Sequence, residues 1–142
     1  MELAKKYNLP EAIINFIRTH HGKSKVKYFY NSFKNKYPDR EIDESLFTYA
    51  GPDPVSRECA VVMMADAVEA VSRTLANKTE ENITKSVNDI IDGQLHDGRY
   101  ANADITFKDI AVVKKVFIEM LTNIYHSRIA YPKLEKQTEN KH

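Results

Sequence analysis

The chain reads as an all-α domain, and three observations predict that class. Apolar residues recur at helical spacing along most of its length. Period-two alternation is short wherever it occurs. Glycine is scarce, at 4 residues, so the tight turns of a β-rich fold are missing. Together these predict a bundle of about five to seven helices.

Each element has a local cause. The opening "MELAKKYNLP" reads as the polar end of a helix. Pro10 suits the first turn of the next helix, which is expected to run to about His21, with Gly22 as its stop. Ile13, Ile14, Phe16 and Ile17 form its inner stripe. Residues 23–37 read as another helix, with Val26, Phe29, Tyr30 and Phe33 on one face and Pro38 ending it. Tyr28, Phe29 and Tyr30 read as core rather than as a base-stacking platform. Residues 38–56 are expected to be a loop with a helical turn near "DESLF", and the prolines of "AGPDPVS" mark an ordered turn. Ser56 is the expected N-cap of a helix over 57–77, with Glu58 complementing the dipole. Thr79 caps the following helix, where Ile83, Val87, Ile90 and Ile91 face inward. Gly93, Gly98 and the stretch to Asp104 form a connection. Thr106 caps a last helix from Phe107 to about Ile129, with Ile110, Val113, Phe117, Met120, Leu121 and Ile124 inside. Pro132 stops it, and residues 133–142 read as a polar, disordered tail.

Composition narrows the function classes. The 142 residues fit one domain, with 42% hydrophobic and 29% charged residues. Lys plus Arg number 21 against 20 Asp plus Glu, a formal charge of +1, so no global basic field exists for a nucleic acid polymer. The single cysteine, Cys59, excludes a disulfide framework and a Cys-based zinc site, and suits a reducing compartment. The longest apolar run, "CAVVMMA", is far short of the roughly 20 residues that span a bilayer. No phosphate-binding glycine loop, nucleophile elbow, HExxH or CxxC occurs.

The residues that could carry chemistry are few. In "IINFIRTHHG", His20 lies i+3 from Ile17 and i+4 from Phe16, and His21 lies i+4 from Ile17, so both imidazoles extend the inner stripe. They can be helix-terminal cations facing the last carbonyls, or metal ligands. Adjacent helical residues diverge by about 100°, which suits two neighbouring ions better than one. Asp66 lies in the most apolar helix and needs a partner if buried. It can be a ligand, or it can belong to a solvated stripe in which Arg73 pairs with Asp66 or Glu69. His96 reads as solvent-exposed, and His126 and Arg128 as cations at a helix end. Lys23, Lys25 and Lys27 can form a solvated face or attract a phosphate-bearing ligand beside the histidines.

The stretches "LPEAIINFIRTHHGKSKVKYFY", "GPDPVSRECAVVMMADAVEAVSRTL", "DGQLHDGRYANADITFKDI" and "YHSRIAYP", in that order, extend this reading. Over residues 1–132 the chain resembles the C-terminal part of the cytoplasmic HD domain of seven-transmembrane HD phosphohydrolases, which are bacterial cyclic di-AMP phosphodiesterases. The resemblance implies an HD-domain-like helical bundle, truncated at its N-terminal side. It implies two transition-metal ions, iron or manganese, in the full domain, with His20, His21 and Asp66 among the ligands. The implied reaction is metal-assisted hydrolysis of cyclic di-AMP to the linear dinucleotide. Lys23, Lys25 and Arg128 become candidate substrate contacts. The implied setting is the cytoplasmic side of a bacterial inner-membrane protein, the present piece being soluble.

The departures from the family pattern carry expectations of their own. The naming His-Asp pair and the earlier histidines are expected upstream of Met1. The one HD here, His96-Asp97, falls after the "ADAVEA" helix, in the wrong order. The piece is therefore expected to be catalytically incomplete, with its upstream half-domain as natural partner and uncovered apolar surface favouring self-association. Lys23 stands where the family usually has threonine, and Asp53 where lysine is common. The cyclic di-GMP branch, with HHE and GYP signatures, fits worse. The rival reading from another class is a non-catalytic helical module that senses a nucleotide or acts as a scaffold.

Overall fold

The computed structural model describes residues 2–126, the side chains of residues 27 and 28 excepted. Within these the chain is helical: α1 (Glu2–Lys6), α2 (Glu11–Thr19), α3 (Lys27–Lys36), a 3-10 turn at Glu44–Phe47, α4 (Arg57–Thr74), α5 (Glu80–His96) and α6 (Phe107–His126). Among the described residues, strand-like pairing is limited to one bridge between Lys25 and Thr48. The all-α expectation holds.

The three long helices start where their caps say they should. Ser56 accepts from the Cys59 amide, Thr79 from the Asn82 amide, and Thr106 from the Asp109 amide at 3.1 Å. Asp109 returns the favour, accepting from both the amide and hydroxyl of Thr106. That reciprocal capping box satisfies donors that the first helical turn leaves orphaned.

These helices build the core. Ala60, Met63, Met64 and Val68 of α4 meet Ile83, Val87 and Ile91 of α5, closed by Tyr100 and Ile110. Each fully buried Met, Ile or Val contributes about 1.5–3 kcal/mol relative to exposure. Every member of that cluster lies between residues 60 and 110. Tyr100 is buried and its hydroxyl donates to Gln94; burial, with Asp92 adding, pushes its pKa far up, so it stays neutral. Ser72 and Tyr125 hydroxyls meet at 3.1 Å across α4 and α6, and Lys114 of α6 pairs with Asp92 of α5 at 2.6 Å.

Several sequence expectations need correction. Gly93 lies inside α5, not in a connection. Residues 23–26 are not helical, because Val26 donates to the Phe47 carbonyl and Tyr49 to the Ser24 carbonyl, holding the chain extended against the 3-10 turn. The α4 helix stops at Thr74 rather than 77. Ile13 and Ile17 stay 43% and 44% exposed, so the inner position of α2 is filled by Ile14 and Thr19 instead. On α6, Val113, Phe117, Leu121 and Tyr125 pack on the core. The series one residue behind is rotated by about 100° and faces outward. Met120 and Ile124 fall on it and are 55% and 49% exposed. Phe29 is likewise exposed rather than core, and the side chain of Tyr28 lies outside the described residues. Pro132, the end of the last helix and the 133–142 tail also lie outside them.

Candidate metal centre

The site forms where the end of α2 meets α4. Helix α2 ends at Thr19, whose hydroxyl folds back onto the Asn15 carbonyl at 2.8 Å. His20 caps the helix: its Nδ1 reaches the carbonyls of Phe16 at 3.0 Å and Ile17 at 2.9 Å. Carbonyls only accept, so Nδ1 carries the proton and Nε2 is left as the lone-pair donor. A helix-terminal role and a ligand role are therefore compatible, on opposite nitrogens of one ring.

The two imidazoles lie together, with ring centroids 4.0 Å apart, and the Tyr49 ring stacks on that of His21 at 4.3 Å. His21 Nδ1 stands 3.3 Å from Asp66 Oδ2. Both members of this pair are half-exposed, at 41% and 46%, and His20 is half-buried, so neither histidine continues a buried stripe as helical phase suggested. The reason is that α2 has ended before them. Asp66 is free for His21 because Arg73 takes Glu69, its i+4 neighbour, instead.

Behind the histidines the backbone is tightly held. Gly22 has φ +52°, and a Cβ there would sit 2.3 Å from Met63 Cε and 2.6 Å from Asp53 Oδ1. Gly51 crosses so closely that its own Cβ would lie 2.6 Å from the Gly22 carbonyl oxygen. Asp53 accepts from the Lys23 amide at 3.0 Å and pairs with Arg99 at 3.5 Å. Tyr49, Asp53 and Arg99 escape sequence reasoning, since the contacts join segments far apart in the chain. The only local signal is the Pro-Asp-Pro turn itself.

The remaining candidates are dispersed. Lys23 is exposed. Lys25 is engaged by Glu44, which holds the Lys25 pKa up and has its own held down, and it lies 5.5 Å over the Tyr30 ring. His96 is solvent-exposed beside Asp97, as expected. Arg128 lies outside the described residues.

Two imidazoles and a carboxylate suit a manganese- or iron-class ion, and the free Nε2 of His20 fits a ligand role. Among the described residues, though, no three His, Cys, Asp or Glu side chains converge on one point to hold an ion. Nor, among the described residues, is any helix long and apolar enough to cross a membrane.

The all-helical fold matches that of a solved HD domain. No family model matches the chain. It superposes on the Listeria monocytogenes PgpH phosphodiesterase HD domain, solved in complex with cyclic di-AMP, with a TM-score of 0.82 and 35% identity, covering 92% of this chain and 60% of that one. A second structure of that HD domain matches with a TM-score of 0.78 and 32% identity, over 88% of this chain and 57% of that one. In sequence, the chain is 38% identical to the cyclic-di-AMP phosphodiesterase PgpH of Bacillus subtilis over 135 residues, 95% of this chain and 19% of that protein. Against PgpH of Listeria monocytogenes the identity is 36%, over 92% of this chain and 18% of that protein. The chain is thus homologous to the PgpH HD domain, and it spans about one fifth of the length of these relatives.

Proposed function

We propose that this chain is the C-terminal portion, residues 1–132, of a metal-dependent phosphodiesterase domain that hydrolyses cyclic di-AMP to the linear dinucleotide. The observation that carries the reading is the meeting of His21 and Asp66 at 3.3 Å, from helices α2 and α4, with His20 Nε2 free beside them. His20, His21 and Asp66 would hold part of a two-ion centre of iron or manganese. When bound, such ions polarise the phosphodiester and lower the pKa of the attacking water. The chain's own part is to orient: carbonyls fix the His20 ring, and Tyr49 and Asp66 fix that of His21. Lys23, Lys25 and Arg128 are the proposed contacts to substrate phosphate. The remaining ligands would come from an upstream half-domain, so this chain alone is catalytically incomplete. The full protein would sit in a bacterial inner membrane with this domain on the cytoplasmic side.

A non-catalytic nucleotide-sensing or scaffold module is the second reading, favoured by the absence of a three-donor cluster among the described residues. A longer protein that includes the upstream segment decides between them. The expected result is cyclic di-AMP turnover with manganese, reduced at least about 10-fold by Asp66→Ala. A longer protein that binds cyclic di-AMP but never cleaves it would establish the sensing module instead.

A further inference from the structure

We propose that Asp53 and Arg99 are positioning residues that clasp the His20–Lys23 turn and set where the two imidazoles stand. The inference rests on the reading of that turn as a ligand-bearing one. Two segments distant from Asp53 converge on one of its carboxylate oxygens. Asp53 Oδ1 accepts the Lys23 amide at 3.0 Å, stands 3.5 Å from Arg99 Nη1, and is the atom a Gly22 Cβ would strike at 2.6 Å. The pair is largely removed from solvent, Arg99 being 22% and Asp53 15% exposed.

The mount is rigid on both sides. Asp53 lies between Pro52 and Pro54, so the ring on each side fixes φ, and Pro54 further restricts the backbone of Asp53 itself. Pro54 is fully buried. Arg99 is held by its amide, which donates to the Gln94 carbonyl at 3.0 Å just past the end of α5. A carboxylate so placed needs both donors, and a charge-assisted bond to a backbone amide fixes the chain more firmly than a neutral one. Two residues before that amide is His21, and between them Gly22 is buried with no room for a Cβ beside Met63 and Asp53. Outer partners that orient ligands in this way commonly tune metal affinity 10–100-fold.

The test uses the 142-residue chain. Manganese alone is titrated while ring resonances of His20 and His21 and exchange of the Lys23 amide are followed by NMR. Wild type is expected to show manganese broadening both rings and a protected Lys23 amide. Asp53→Ala should weaken manganese binding about 10-fold, shift both ring signals and expose the Lys23 amide. Asp53→Asn, which keeps an acceptor, should retain Lys23 protection and weaken binding less. Arg99→Ala should weaken binding, and Arg99→Lys should restore it. Val87→Ala, which destabilises the distant core, should leave affinity unchanged, so general loosening is told apart from positioning. If Asp53→Ala does not fold, the asparagine and Arg99 variants give the answer. Wild-type affinity and ring shifts in the Asp53 and Arg99 variants would overturn the clasp. If wild type alone takes up no manganese, the ring shifts and Lys23 exchange of the metal-free chain decide the clasp, and the ligand reading is decided by manganese uptake of the longer protein.

Discussion

Replacing Gly22 by alanine should destabilise the chain by about 2–5 kcal/mol, and the structure separates that figure into two parts. The first is conformational: φ is +52°, in the left-handed region, which costs a Cβ-bearing residue about 1–2 kcal/mol. The second is steric. The new Cβ would meet Met63 Cε at 2.3 Å and Asp53 Oδ1 at 2.6 Å. Met63 is only 1% exposed and Asp53 is anchored, so neither can swing into solvent, and overpacking of this kind costs about 1–3 kcal/mol. Two other glycines isolate the parts. Gly98 has φ +70° with nothing within 4 Å of a Cβ, so Gly98→Ala should show the conformational part alone, about 1–2 kcal/mol. Gly93 is helical with open space around it, so Gly93→Ala should stabilise by about 0.5–1 kcal/mol. Urea denaturation followed by circular dichroism measures all three. With a slope of about 2 kcal/mol per molar, Gly22→Ala should lower the midpoint by roughly 1–2.5 M. A Gly22→Ala midpoint no lower than that of Gly98→Ala would refute the reasoning, because Met63 and Asp53 would then yield without cost.

Other predictions follow from the core, a cap and the surface. Ile91→Ala, at a fully buried position, should cost about 2–5 kcal/mol in the same denaturation assay, and a loss below about 1 kcal/mol would mean that the α5 seam collapses onto the gap. Hydrogen bonds from the Thr106 amide and hydroxyl hold the Asp109 pKa below its ordinary 3.8. Its stabilising effect is therefore full above that value and is lost as pH falls through the lowered one, so melting temperature should drop as pH falls below about 4, and less so in Asp109→Asn. An identical drop in the variant would remove the cap from the account. Leu3, Ile13 and Ile17 on α1 and α2, and Val112, Val116 and Met120 on α6, are exposed, so light scattering should show concentration-dependent self-association. A monomer at all concentrations would exclude it.

How much of this was legible depended on the range of the interaction. The caps Ser56, Thr79 and Thr106 were readable because a cap is decided within a few residues. So was the α5 stripe of Ile83, Val87 and Ile91, which follows helical phase alone. Met120 and Ile124 were misplaced because two apolar series run along α6 and sequence does not say which one the core selects. At the site, His20, His21 and Asp66 were picked out, yet their meeting was not derivable from spacing. Helical phase overstates the burial of the two histidines, because Thr19 and His20 close α2 before the wheel reaches them. Asp53 showed the opposite failure. Its sequence neighbourhood looked like an ordinary turn, and only the fold brings the Lys23 amide to it.

The confinement of the main core cluster to residues 60–110 has a kinetic consequence. Its contacts join helices that follow one another along the chain, a low-contact-order arrangement that closes quickly. The arm carrying α1, α2 and α3 adds Ala4, Ile14 and Thr19 to the buried set and little else. It should behave as a separate, weaker foldon that docks last and opens first. His20 and His21 ride on that arm, while Asp66 belongs to the early-forming body. Assembly of the donor set would thus be a late docking event, and sub-global opening would part the histidines from the aspartate while the helical core stayed intact.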